Sequence, residues 1–270
     1  MIDLHLHTTA SDGLLAPAAL VARAAACGLS TISVTDHDTT AGLAEADEAA
    51  RRQGIRLVSG VEITAIHEKR DVHMLAYFVD PSNAAFAGFL ESQRRDRLRR
   101  VRQIADRLAA LGCPIDDESL LADRKGRSVG RPLIADALIA AGRAVDRDDA
   151  FRRFLAEGAP AFVPRPGPRP ETVIAVARQA GGVVSLAHPG LTKIDGLIPF
   201  LAAAGLASLE VRHSDHDQAT EDRYRQVAAQ HGLAVSGGSD FHGDLGHRGA
   251  VLGQITISEQ ELADLESRRP

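Results

Sequence analysis

The sequence predicts an α/β barrel interrupted by an all-helical insertion. Short β-branched runs alternate with alanine-rich helical patterns, a rhythm that means parallel strands joined by crossover helices. The chain has 270 residues, and a single α/β barrel commonly takes about 250. From about Pro81 to about Pro166 the strand rhythm stops and only helical patterns are found.

The first strand lies in "MIDLHLHTTASDG", where Ile2, Leu4 and Leu6 alternate with Asp3, His5 and His7. One face is apolar. The other carries an acid and two imidazoles in line, which are costly to bury unless something binds them. "GLLAPAALVARAAACG" then reads as a helix with Pro17 in its first turn and Gly28 stopping it, followed by the strand "STISVTDHD". "TAGLAEADEAARRQG" is the next helix. "IRLVSGVEIT" and "RDVHMLAYFV" are strands with no room for a helix between them, and His67 sits with Glu68, Lys69 and Arg70 in a charged, solvated hairpin that joins them. The rhythm returns with "GGVVSLAHPG", the helix around "GLIPFLAAAG", "LASLEV", the helix around "TEDRYRQVAAQHG", and "LAVSGGSDFHG".

These elements divide the chain into a barrel over residues 1–81 and 167–270 and a helical cap over 82–166. The cap contains the long helix "AFAGFLESQRRDRLRRVRQIADRLAALG", shorter helices around "RPLIADALIAAG" and "DRDDAFRRFLAEG", and a proline-rich return, "PRPGPRP". Arg94, Arg95, Arg97, Arg99, Arg100 and Arg102 read most simply as a solvated face balanced by Glu91 and Asp96, the alternative being attraction of an anionic substrate.

Composition narrows the function classes. A hydrophobic content of 44% and a charged content of 25% fit a globular chain, and a net charge of -5 argues against wrapping nucleic acid by bulk charge. Cys27 and Cys113 are too few for a disulfide framework or a thiolate metal site. The chain starts directly in a strand and has no long apolar run, so neither export nor membrane insertion is expected. A cytoplasmic location without an obligate protein partner is the expectation.

Metal-binding chemistry stands at each strand-like run: His5, His7 and Asp12; Asp36, His37 and Asp38; Glu62; His73; His188; Glu210 and His213; Asp240 and His242. Parallel α/β folds gather strand ends at one mouth. Imidazole with carboxylate and no thiolate suits manganese, iron or zinc. There are too many ligands for one ion. Glu62 can bridge two, and paired cations clamp phosphoryl oxygens while acidifying a bound water.

In order, "DLHLHTTASDG", "TDHDT", "GVEIT", "VHMLAYF", "SLAHPG" and "GSDFHG" resemble the polymerase and histidinol phosphatase (PHP) family of the amidohydrolase superfamily. Within it, the chain resembles the branch that hydrolyses 3′,5′-bisphosphonucleotides such as pAp and, in some members, short RNA from the 5′ end. The resemblance implies a distorted seven-stranded TIM-like barrel, a helical insertion and two to three divalent ions, manganese first. It implies one metal on His5, His7, Glu62 and Asp240, a second on Glu62, His73 and His188, and a third on Asp12, His37 and His242. Spacing suggests that Asp3 and Asp38 fix imidazole tautomers, and Glu210, three residues before His213, is a further candidate to support the ligands from behind. One position departs from the pattern: "GRPLIADAL" has Leu133 where the branch commonly has histidine, and leucine neither binds phosphate nor donates a proton.

The expected function is therefore a metal-dependent phosphoesterase on a small phosphorylated nucleotide. Asp240 and His213 are the candidate catalytic residues, and Arg131, Arg165 and His213 the candidate substrate contacts. Lys193, His216 and His247 read as surface or loop residues, and His231 as a helix end. The alternatives are a 5′-3′ exoribonuclease on short RNA, a histidinol-phosphate-type phosphatase, which needs no large cap, and a non-catalytic metal-binding module, whose mark would be lost ligands.

Overall fold

The computed structural model describes residues 1–122, 126–243 and 251–270. The first part of the barrel runs β1 (Ile2–Leu6), α1 (Pro17–Ala26), β2 (Thr31–Val34), α2 (Leu43–Gln53), β3 (Arg56–His67) and β4 (Arg70–Tyr77). Then come α3 (Ala84–Ala110), α4 (Asp117–Leu121), α5 (Arg131–Ala140) and α6 (Arg147–Ala150), the last continuing into a π-helical turn over Phe151–Leu155. The second part runs α7 (Pro170–Gln179), β5 (Val183–Leu186), α8 (Pro189–Thr192), a 3₁₀ turn (Asp195–Leu197), α9 (Ile198–Ala203), β6 (Ser208–His213), α10 (Gln218–Gln230), β7 (Ala234–Gly238) and α11 (Glu259–Ser267).

The seven strands form one sheet in chain order, curled into a nearly closed barrel. At the seam Leu6 bridges in parallel to Phe241, and the His7 amide donates to the Phe241 carbonyl at 3.0 Å. Close approach at this seam requires Gly238, because a Cβ there would lie 2.3 Å from the His5 backbone nitrogen.

The parallel rhythm is broken at the hairpin that the sequence places around His67. β4 runs antiparallel to both β3 and β5, while the other neighbouring strands are parallel. The cause is the two-residue turn Glu68–Lys69, with φ of 48° and 68°, the left-handed pair that a tight hairpin demands. A parallel connection needs a crossover of about a dozen residues or more. His73 therefore reaches the mouth from the first half of β4, with its Cα opposite Thr64.

Two apolar clusters support the barrel wall. Leu20, Val21 and Ala24 of α1 and Ala46 and Ala50 of α2 pack on Ile32 and Val34, while α7, α9 and α10 pack Ile174, Leu201 and Tyr224 over the other half with Ile63 and Met74. Helix α3 starts on an Asn83 cap, whose side chain accepts from the Phe86 amide at 3.0 Å, and Phe86 anchors that end in the barrel cluster. Helix α3 beyond its first turns, α5 and the π-helical turn have a separate core around Val101, Ile104, Leu108, Ile134, Leu138 and Leu155.

The solvated-face reading of α3 holds only for Arg95, Arg99 and Arg102, which are exposed. Arg100 is buried and donates through Nε to the Val163 carbonyl at 2.8 Å, and Arg94 and Arg97 turn toward the barrel. A helix packed on both sides cannot keep all its arginines in water. Among the described residues no helix is long and apolar enough to cross a membrane.

Candidate metal centre

Glu62, at the middle of β3, sits among five imidazoles. Its Oε2 lies 3.3 Å from His5 Nε2, 3.2 Å from His7 Nε2 and 3.1 Å from His37 Nδ1; its Oε1 lies 2.7 Å from His73 Nδ1 and 3.3 Å from His188 Nε2. Asp240 Oδ1 is 3.3 Å from His5 Nε2 and 3.2 Å from His7 Nε2. His242 Nε2 is 3.4 Å from Asp12 Oδ1, with His7 and His37 each 3.7 Å from an Asp12 oxygen. Ligand atoms thus converge in groups of His5, His7, Glu62 and Asp240; of His7, Asp12, His37 and His242; and of His37, Glu62 and His73, with His188 on the same Glu62 oxygen.

Local structure fixes these side chains. The alternation of β1 turns Asp3, His5 and His7 inward together. The loop that carries Asp12 is pinned by Asp36, whose Oδ1 accepts from the Thr8 amide at 2.8 Å and the Ser11 hydroxyl at 2.6 Å and whose Oδ2 accepts from the Thr8 hydroxyl at 2.6 Å. His188 and Asp240 hold φ of 28° and 53°, left-handed backbone that costs energy and concentrates at functional sites.

The imidazoles are oriented from behind by Glu210. Its Oε1 accepts from His5 Nδ1 at 2.8 Å, and its Oε2 accepts from the His188 backbone amide at 2.7 Å. Asp3 and Asp38, expected to fix tautomers, do neither. Asp3 Oδ1 accepts from the backbone amides of His5 at 3.2 Å and Ser239 at 3.0 Å, tying β1 to the end of β7, and burial raises its carboxyl to about 6. Asp38 Oδ2 takes Arg97 Nε at 2.5 Å and Arg165 Nη2 at 2.8 Å. Burial would raise the Asp38 carboxyl, but the two guanidinium groups, Arg165 first, hold it well below the usual range.

The donor set fits cations. With the His5 Nδ1–H committed to Glu210, its Nε2 turns a lone pair onto two carboxylate oxygens and faces His7 Nε2 at 3.1 Å. Carboxylate oxygens and imidazole nitrogens packed this closely repel unless protons or metal cations lie among them. Asp12 Oδ1 and His37 Nδ1 are also buried without a hydrogen bond. Burial raises the Glu62 carboxyl, and the imidazoles, His37 and His73 foremost, bring it well below its ordinary value.

Above this floor lies a cavity of about 360 Å³. The helices and return segment between β4 and β5 supply its other side with Arg97, Arg131, Arg147 and Arg165. Arg131 donates to Asp71 at 3.3 Å and has the Phe151 and Phe162 rings 5.6 and 5.7 Å from its guanidinium carbon. Arg165 is buried on Asp38, and its Nε has no hydrogen-bond partner. Arg147 is held by both oxygens of Asp136 at 2.6 Å.

Comparison with known proteins agrees with this arrangement. Residues 3–124 match the PHP domain model. A 3′,5′-nucleoside bisphosphate phosphatase of Chromobacterium violaceum is 36% identical over 91% of this chain and 90% of its own length. This chain belongs to the PHP family. The 5′-3′ exoribonuclease Rnm of Salmonella typhimurium is also 36% identical, over 89% of this chain and 84% of its own. A Bifidobacterium adolescentis crystal structure, provisionally named a metal-dependent phosphoesterase, superposes with a TM-score of 0.88 at 38% identity, covering 100% of this chain and 96% of that one.

Not every residue singled out in this PHP sequence faces the cavity. His213 is fully buried behind Asp240, its Nε2 3.3 Å from Asp240 Oδ2 and its Nδ1 accepting from the Asp215 amide at 3.1 Å. A strand-end position suggested substrate contact, but the ring has no surface on the cavity. Leu133 packs against the core of the inserted helices and lines a smaller cavity of about 210 Å³, beside Asp12 and Arg147. His216 is structural: Nδ1 donates to the Val211 carbonyl at 2.8 Å and Nε2 accepts from the Gly190 amide at 3.2 Å. Lys193 is exposed, His231 ends α10 and His67 ends β3, while His247 lies outside the described residues. Sequence reading missed Arg97 and Arg147 as cavity residues. Their only signal was charge, shared with many neighbours.

Proposed function

We propose that this PHP chain hydrolyses a phosphate ester of a small phosphorylated nucleotide, a 3′,5′-bisphosphonucleotide such as pAp, with two to three divalent ions, manganese first. The observation that carries the reading is one carboxylate, Glu62, set among five imidazoles below a wall of four arginines. His5, His7, Glu62 and Asp240 would hold one ion; Glu62, His73 and His188 a second; Asp12, His37 and His242 a third. Such ions neutralise phosphoryl oxygens and acidify water.

The chain's own groups do the rest. Glu210 keeps the His5 lone pair aimed inward, so that ligand is preorganised. Asp240 is the catalytic carboxylate of this set, and His213, behind it, fixes its position. Arg131 and Arg165 present guanidinium groups to the second phosphate, away from the ligand floor. A substrate with two phosphates engages both sides of the cavity, and a monophosphate only one.

The test is phosphate release with manganese from pAp, a 5′-mononucleotide, histidinol phosphate and a short 5′-phosphorylated oligonucleotide. We expect the highest kcat/KM on pAp. Equal kcat/KM on pAp and a simple aryl phosphate would refute the two-sided recognition. The equal identity to the exoribonuclease makes the short oligonucleotide the second reading, and preferential cleavage of it would favour that one.

A further inference from the structure

Among the described residues that line the cavity, Phe151 is the one phenyl or phenol side chain. The chain presents it through an unusual turn. The Ala156 amide donates to the Phe151 carbonyl, five residues back, at 2.8 Å, and wide turns of this kind cluster at functional sites. Phe154 and Leu155 of the same turn are buried in the core of the inserted helices, whereas Phe151 is only partly buried. The guanidinium of Arg131 lies over one face of the ring, 5.6 Å from its centroid, so a phosphate-binding group and a π surface are in direct contact and a planar ligand meets the part of the ring that Arg131 and the helical core leave open. Pro132 adds apolar surface next to them. A cavity of about 360 Å³ falls in the range that small ligands occupy.

We propose that Phe151 stacks on the heteroaromatic base of the substrate and so selects base-bearing phosphates over base-free sugar phosphates. This rests on the nucleotide reading above and names the residue that recognises the base. Arg131 meets phosphate charge and Phe151 meets the planar group. Stacking of one base on one aromatic side chain corresponds to about 5- to 100-fold in affinity.

The test is calorimetric titration of the purified protein with adenosine 5′-monophosphate and ribose 5-phosphate, which differ only by the base. Wild type binds the nucleotide about 5- to 100-fold more tightly. Phe151→Leu, which keeps apolar volume for the core, removes most of that gap and leaves ribose 5-phosphate affinity unchanged; Phe151→Trp retains the gap. Equal weakening of both ligands in Phe151→Leu would show that the ring only props Arg131 and would overturn the proposal. So would a gap that survives Phe151→Leu, or no gap in wild type. Phosphate release from pAp is measured in parallel. A wild type that shows no base preference but turns over pAp refutes this inference alone, and a wild-type base preference without turnover of any phosphate ester refutes the proposed function alone.

Discussion

The barrel mouth and the inserted helices hold their functional groups by different means. At the mouth, short side chains leave β-strands whose ladders fix them, and Glu62, His5 and His7 are almost completely buried. In the insertion, long arginines reach into the cavity from helices with a separate core and are steadied by acids, Arg147 on Asp136 and Arg131 on Asp71. Ligand geometry tolerates little displacement, so the ladder suits it. The phosphate recognition proposed for the arginines tolerates more, so tethered guanidinium groups would suffice for it. The two regions meet at two barrel acids, Asp71 of β4, which takes Arg131, and Asp38, which holds Arg97 and Arg165.

If the mouth carries the chemistry, damage there should be all or none. Glu62→Ala is expected to reduce kcat on pAp by about a thousandfold or more, with circular dichroism unchanged. Elemental analysis of manganese-reconstituted wild type should give more than one ion per chain, and occupancy should fall as pH drops because protons compete for the imidazoles. One ion or fewer per chain would break the assignment of separate ligand groups.

The junction should fail as a structure. Asp38→Asn leaves two guanidinium groups without their buried counter-charge and is expected to cost about 3 to 5 kcal/mol in denaturant unfolding. The sign with pH follows from the depressed carboxyl: its contribution is complete above the unfolded pKa of about 4 and is lost as pH falls through the lower folded value. A variant as stable as wild type would show that the Asp38 ion pairs do not hold the two regions together.

Damage to the insertion should instead be graded and confined to affinity. Arg131→Lys, which loses the planar fork, is expected to raise KM for pAp roughly 10- to 100-fold with kcat nearly constant. An equal loss in kcat would move Arg131 into the chemistry. The smallest effect is expected at Leu133, which faces the side cavity: Leu133→His should lower KM for pAp by about tenfold or less at constant kcat. A hundredfold rise in kcat would make that position a proton donor.

What was legible in the sequence was whatever a short local pattern encodes. The two-residue period of "IDLHLH" put His5 and His7 on one face, and candidate ligands at the strand ends gathered at one mouth because a barrel orders them so. The reversed direction of β4 was legible too, as a charged hairpin with no room for a helix. The arginines were harder. Arg97 and Arg99 differ by two positions on α3, yet one binds Asp38 and the other is exposed, because helix phase relative to the barrel chooses between them.

The same division explains the remaining differences. The sequence by itself determined the ligand types, the strand and helix rhythm and the presence of a helical insertion, since each depends on residues near one another in the chain. Only the tertiary structure decided that Glu210 rather than Asp3 or Asp38 orients His5, that His213 stands behind Asp240, and that Phe151 lines the cavity. Each of those facts depends on which faces of distant elements meet. Packing settles that for the whole chain at once, through side chains whose reach spans several ångströms.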